Sequence, residues 1–132
     1  MTTPPEDPST APWWDATREQ RLVLQSCAAC AAVQHPPTPI CRSCSGSDLG
    51  WVDASGTGTV DAWTTVHRSP GPGFEPPYVV ARVRLAEGPL LLTNVEGQSV
   101  RLGQLRCGDP VHVSWKALPD GRHLPLFAPT EE

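Results

Sequence analysis

The chain has 132 residues, 39% hydrophobic and 18% charged, which is enough apolar material for one ordinary domain or a small domain with a satellite module, and too much for general disorder. Its formal net charge of -4 sets the long-range field against phosphates, and its basic residues form no tail or stripe. Pro 16 and Gly 11 favour short strands and tight turns over a helical bundle, no apolar run nears the ~20 residues of a membrane span, and the start MTTPPEDPSTAP lacks the basic and apolar parts of a secretory leader, so a cytoplasmic protein is expected.

Residues 1 to about 10 are polar and proline-rich and read as a draped tail. APWWDATREQRL then predicts a short helix, with Pro12 near its start, Asp15 early, and Arg18 and Arg21 late, where they suit the helix dipole. So short a helix cannot bury Trp13 and Trp14 against itself. Either the indoles fold back onto the rest of the chain, or at least one anchors a partner protein, a role in which Trp is enriched. RLVLQSC reads as a strand entering the first cysteine pair, and SGSDLGWVDAS returns in an extended path with Trp51 as a packing residue.

From Gly56 the pattern is β. GTGTVDAWTTVHR alternates, with Val60, Ala62, Thr64 and Val66 expected on one side and Asp61, Trp63, Thr65 and His67 on the other. SPGPGFEPP, with four prolines and two glycines, is a loop. YVVARVRLAEG predicts Val79, Ala81, Val83 and Leu85 inward and Tyr78, Val80, Arg82 and Arg84 outward, and the AEGP turn leads to its hairpin partner LLLTNVEG. VHVSWKAL alternates Val111, Val113 and Trp115 against His112, Ser114 and Lys116, and HLPLFAP gives a last short strand that its prolines should keep at an edge. Five such strands suit a small closed barrel of the OB type. The expected organisation is therefore mainly β: a tail and short N-terminal helix over 1–20, a cysteine-bearing ribbon over 21–52, and a five-stranded OB-fold over 53–132.

The strongest chemical signal is CAACAAVQHPPTPICRSC, two Cys-x-x-C pairs, Cys27 with Cys30 and Cys41 with Cys44, separated by ten residues. Each pair can present both sulfurs from one tight turn, and folding the connection back closes a tetrahedral four-thiolate site. Disulfides are disfavoured by the absence of a secretory context and by an odd fifth cysteine. A thioredoxin-type couple would need a βαβ setting that is missing. Iron in a rubredoxin-type site uses the same ligands and stays open, but without another redox motif one structural zinc ion is the preferred reading. Four sulfurs leave no open coordination position, so the site is structural rather than catalytic. His35 reads as a surface residue of the HPPTP loop, and Cys107 as an inert, partly buried thiol.

The chain shows no GxSxG, HExxH or phosphate-binding glycine loop. His35, His67, His112 and His123 are dispersed over separate segments. A binding or scaffolding module is the reading this supports, not an independent enzyme.

Taken in order, the PWWDA start, LVLQSCAAC, HPPTPICRSC, GWVDASGTGTV, WTTVHR, the PPYVVARVRLAEGPLLLTNVEG hairpin, GDPVHVSW and LPLFAP resemble the zinc-ribbon/OB-fold proteins of domain-of-unknown-function family thirty-five, which are associated with acyl-CoA, over residues 12 to 129. Two positions depart from the family: Ala31 after the first pair and Ser45 after the second, where such knuckles often carry Gly. The resemblance implies a non-catalytic accessory subunit that docks on a thiolase-fold enzyme, as a heterotetramer around a thiolase dimer, stabilises it, and lines the path of an acyl-CoA. A retro-aldolase of steroid side-chain degradation is the preferred setting. On that reading Trp13 and Trp14 are candidates for the partner interface, and Arg68, Phe74, Arg82 and Arg84 for contact with the CoA, since guanidinium groups bind phosphates bidentately. Neither nucleic acid nor a membrane is an expected partner. Two alternatives are a single-stranded nucleic-acid-binding OB-fold, opposed by the acidic balance and only 6% aromatic residues, and a rubredoxin-like electron carrier, which would hold iron.

Overall fold

Apolar alternation interrupted by glycine and proline lays down two antiparallel sheets, one of three strands and one of five. The computed structural model describes residues 3–131. Helix α1 (Ala11–Arg18) follows a turn built on Asp7, whose carboxylate accepts the amides of Ser9 at 2.8 Å and Thr10 at 3.0 Å. Pro12 sits in its first turn, where a missing N–H costs nothing. The helix buries Trp13, Trp14, Ala16 and Thr17.

The ribbon sheet has the order β2-β1-β3, from β1 (Val23–Cys27), β2 (Val33–Gln34) and β3 (Leu49–Asp53). The barrel sheet has the order β6-β5-β4-β7-β8. Its strands are β4 (Thr57–Val66), β5 (Tyr78–Leu85), β6 (Leu90–Asn94), β7 (Pro110–Ala117) and β8 (His123–Pro129), with helix α2 (Gln98–Arg101) between β6 and β7. A parallel bridge from Val95 to Phe127, with the Glu96 amide donating to the Phe127 carbonyl at 2.9 Å, nearly closes the sheet into a five-stranded OB barrel. One apolar core runs through both modules, from Leu22, Val23 and Leu24 of the ribbon to Val83, Leu85, Val111 and Phe127 of the barrel. The inward set expected for β5, namely Val79, Ala81, Val83 and Leu85, is buried.

One sequence expectation needs correction. In β4 the register shifts between Val60 and Ala62, so a bulge at Asp61 reverses the alternation. Val60 pairs with inward Val83, but beyond the bulge Trp63 and Thr65 pair with inward Ala81 and Val79, while Ala62 and Thr64 pair with outward Arg82 and Val80. Strand β8 is an edge of the five-stranded sheet, as its prolines led one to expect, yet Pro125, Leu126, Phe127 and Pro129 are buried beneath α1 and the closing turn of the barrel. The segment after β6 forms α2, a single turn too short to leave a periodic signature.

Candidate functional site

Cys27 ends β1, Cys30 follows in the turn, and Cys41 and Cys44 occupy a second turn folded onto it. Their four sulfurs lie within 4.8 Å of one another. Cys27 Sγ and Cys44 Sγ are 3.7 Å apart, and Cys30 Sγ and Cys41 Sγ 3.6 Å. Metal–sulfur bonds of ~2.3 Å in a tetrahedron require an edge of ~3.8 Å, so the donor set fits one zinc ion. A disulfide would instead draw one pair together to about 2.05 Å.

Backbone amides support the sulfurs. Ser43 N donates to Cys41 Sγ at 3.3 Å and Gly46 N to Cys44 Sγ at 3.4 Å. The amides of Cys44 and Ser43 hold the Cys41 thiol at about 7, below its ordinary 9.0. At Cys30 the Ala32 amide favours the thiolate, yet desolvation and the three neighbouring sulfurs push its thiol up to about 12. Four thiolates this close therefore call for a divalent cation to offset their charge. Ala31 and Ser45 adopt φ of 65° and 64°, the left-handed conformation, which explains why a glycine is common at both places. Cys27 and Cys41 are buried and Cys30 and Cys44 exposed, so the centre lies at the module's surface with one side sealed.

The remaining candidates fall elsewhere. Trp13 and Trp14 are 7% and 9% exposed and meet edge to face at 4.7 Å, so in this chain they follow the folded-back alternative. The Arg122 guanidinium, 3% exposed, lies 4.6 Å over the Trp14 ring, while its Nη2 donates to the Pro4 carbonyl at 2.6 Å and its Nε to Asp120 at 2.7 Å. Nothing in composition marked Arg122. Its signal was only a lone arginine in a PDGR turn.

His35 is not the surface residue expected. It is half-buried, its ring centroid is 5.6 Å from that of Trp13, and its Nδ1 is sealed from solvent. Desolvation, and then the charge of Arg42, lower its pKa to about 4. Cys107 is exposed rather than partly buried. His123 donates from Nδ1 to the Thr17 carbonyl at 2.8 Å, tying β8 to α1.

A groove of about 730 Å³ opens beside the end of β6, between the loop 68–77 and α2. Tyr78, Val79, Val95 and Val100 give it apolar walls, and Arg101 and His67 bring cationic or titratable groups, set against Glu75 and Glu96. A contiguous hollow of about 310 Å³ shares Glu75, Tyr78, Asn94 and Glu96 and adds Phe74, which is 40% exposed with its ring 5.9 Å from Tyr78. Of the expected CoA contacts, Phe74 alone lines these hollows. Arg68 is exposed just beyond His67. Arg82 instead pairs with Asp61 at 2.7 Å, and Arg84 donates to the Gly88 carbonyl at 2.7 Å. The sequence pointed to the loop side of this groove through Phe74, but not to α2, whose single turn supplies Val100 and Arg101.

Two family descriptions match: residues 14–50 match the rubredoxin-like zinc ribbon domain of ChsH2, and residues 51–116 its C-terminal OB-fold domain. The zinc ribbon match and the sulfur geometry agree on one structural zinc ion, which Cys27, Cys30, Cys41 and Cys44 would hold. A probable enoyl-CoA hydratase alpha subunit of Thermomonospora curvata is 42% identical, over 89% of this chain and 36% of that protein. A 3-oxo-4,17-pregnadiene-20-carboxyl-CoA hydratase alpha subunit of Mycobacterium tuberculosis is 30% identical, over 91% and 38%. The chain thus spans well under half the length of these two relatives. A DUF35 domain-containing scaffold protein of Pyrococcus furiosus is 34% identical over 69% of this chain and 70% of that one. Among solved structures, a chain of the Ltp2-ChsH2(DUF35) aldolase superposes with a TM-score of 0.87 at 40% identity, covering 96% of this chain and 98% of that one.

Proposed function

This chain belongs to the ChsH2 family, the DUF35 proteins that join a rubredoxin-like zinc ribbon to an OB-fold, and from that premise we propose that it is the non-catalytic partner subunit of an enzyme acting on acyl-CoA thioesters. The observation that carries this reading is the near-complete superposition on a chain of an Ltp2-ChsH2 aldolase. The chemistry of the chain supports it. The four-cysteine centre is closed by its own sulfurs, which leaves no position for substrate or water. The groove beside β6 combines apolar walls with Arg101 and the aromatic Tyr78, the mix that a thioester's pantetheine arm and acyl group would use, and its volume of about 730 Å³ lies in the ~300–1,000 Å³ range of small-ligand sites.

We assign the partner to the thiolase fold, in a hetero-oligomer around a thiolase-like dimer, with a steroid side-chain retro-aldolase as the preferred reaction. In such an assembly the barrel groove faces the partner's substrate channel, Phe74 forms part of its wall, and Arg68 stands at its mouth. A second reading follows from the hydratase alpha subunits to which the chain is similar, and makes the partner a hydratase-type subunit.

Pairwise co-expression separates the two. The tagged chain is produced with a thiolase-fold enzyme or with a hydratase-type subunit from the same cell, and complexes are resolved by size-exclusion chromatography. Co-elution with the thiolase-fold protein, and loss of aldol cleavage when the chain is omitted, is the expected result. Co-elution only with the hydratase-type subunit would move the assignment to the second reading. Separate elution from both, with each enzyme fully active alone, would overturn the partner role.

A further inference from the structure

Two buried glutamines connect the metal centre to the sheet. Gln25 on β1 and Gln34 on β2 are cross-strand partners, only 5% and 8% exposed. The Gln34 side chain donates from Nε2 to Gln25 Oε1 at 2.6 Å and to Thr38 Oγ1 at 2.9 Å. Gln25 returns two bonds to the loop that leads to the second cysteine pair: its Oε1 accepts the Thr38 amide at 3.0 Å, and its Nε2 donates to the Thr38 carbonyl at 2.9 Å. The bond that matters most comes last. Gln34 Oε1 accepts the amide of Arg42 at 2.9 Å, and Arg42 lies inside the second Cys-x-x-C turn, next to Cys41.

We propose that Gln25 and Gln34 are positioning residues of the zinc centre: they clamp the connection 35–40 and hold the second cysteine turn where its sulfurs meet those of the first. The physical case rests on cost. Burying two primary amides is expensive unless each polar atom finds a partner, and apolar residues of similar size would fill this interior without that demand. The loop they hold carries Pro36, Pro37 and Pro39, which donate no backbone hydrogen bonds of their own, so side chains must fix it. Cys41 and Cys44 reach the first pair only across this loop. Outer groups that orient metal ligands commonly govern affinity by about 10–100-fold. The clamp therefore sets how firmly and for how long the ion is held, apart from whether the barrel folds.

The test uses the full zinc-loaded chain and follows transfer of zinc to a chromogenic chelator, with the cobalt-loaded form read by its thiolate charge-transfer absorption. Gln34→Met keeps the volume and removes the amide, and is expected to release zinc at least about tenfold faster. Its cobalt spectrum should keep the four-sulfur intensity, because no ligand is touched. Thr38→Val removes one hydroxyl from the same network and should accelerate release by a smaller factor; it serves alone if Gln34→Met does not fold. Leu126→Ala, in the barrel, lowers stability away from the ribbon and should leave the release rate unchanged. Release at the wild-type rate from Gln34→Met and Thr38→Val would overturn the proposal. So would equal acceleration by Leu126→Ala, which would reduce the effect to general stability.

Discussion

Gly58 offers the sharpest test of how this barrel is built. It lies in β4 where the strand is flanked on both sides, by Leu85 of β5 and Val111 of β7. A Cβ at this position would stand 2.5 Å from the Arg84 carbonyl oxygen and 2.8 Å from Val83 Cγ1. The second contact is with a side-chain methyl that has some freedom to move. The first is with backbone, and relieving it requires β4 and β5 to separate at a point where neither strand has a free side. Overpacking of this kind costs about 1–3 kcal/mol, and the backbone contact places Gly58→Ala at the upper end, about 2–3 kcal/mol. That is a large part of the ~5–15 kcal/mol of a typical domain. Urea unfolding of the metal-loaded protein, followed by tryptophan fluorescence, measures it, together with Val83→Ala and the double variant. The carbonyl clash should survive removal of the Val83 methyls, so the double variant should remain at least ~1 kcal/mol less stable than Val83→Ala alone. If Gly58→Ala costs under ~0.5 kcal/mol, or Val83→Ala abolishes its effect, backbone approach is not what requires glycine here.

Three further outcomes follow from the centre and its surroundings. Replacing both Cys41 and Cys44 with serine should remove bound zinc and unfold the ribbon, because metal binding is folding energy; elemental analysis and proteolysis of residues 21–52 check this, and a metal-free variant with an unchanged melting temperature would refute a structural role. Ala31→Gly and Ser45→Gly should each stabilise by about 0.5–1 kcal/mol, since both positions hold left-handed φ that costs a side chain more than it costs glycine; unfolding midpoints of the loaded protein decide it. His35 has its pKa lowered from 6.5 to about 4, so the folded state favours neutral imidazole, and its contribution is complete above the unfolded value and lost as pH falls toward the folded one. Between about pH 7.5 and about pH 5 the wild type should lose about 2 kcal/mol more than His35→Phe, whose thiolates are the same; equal losses would show that burial does not perturb this histidine.

The metal centre was legible at once because its chemistry is local. Two Cys-x-x-C turns carry their ligand spacing in the chain itself, and the glycine preference at Ala31 and Ser45 is a property of single residues. Strand β5 was legible for the same reason, since every second side chain meets one continuous core. What the tertiary structure decided depends on partners far away in sequence. The bulge at Asp61 reverses the faces of β4 because the strand must curve to close a barrel with β5 and β7. Trp13 and Trp14 are buried because β8 and Arg122, more than a hundred residues later, supply the surface their short helix lacks. His35 becomes half-buried only when Trp13 is laid against it, and the groove exists only once loop 68–77, β6 and α2 converge. Ligand type and side-chain alternation are written residue by residue, whereas burial, strand curvature and concavity arise from surfaces that meet only in the folded chain.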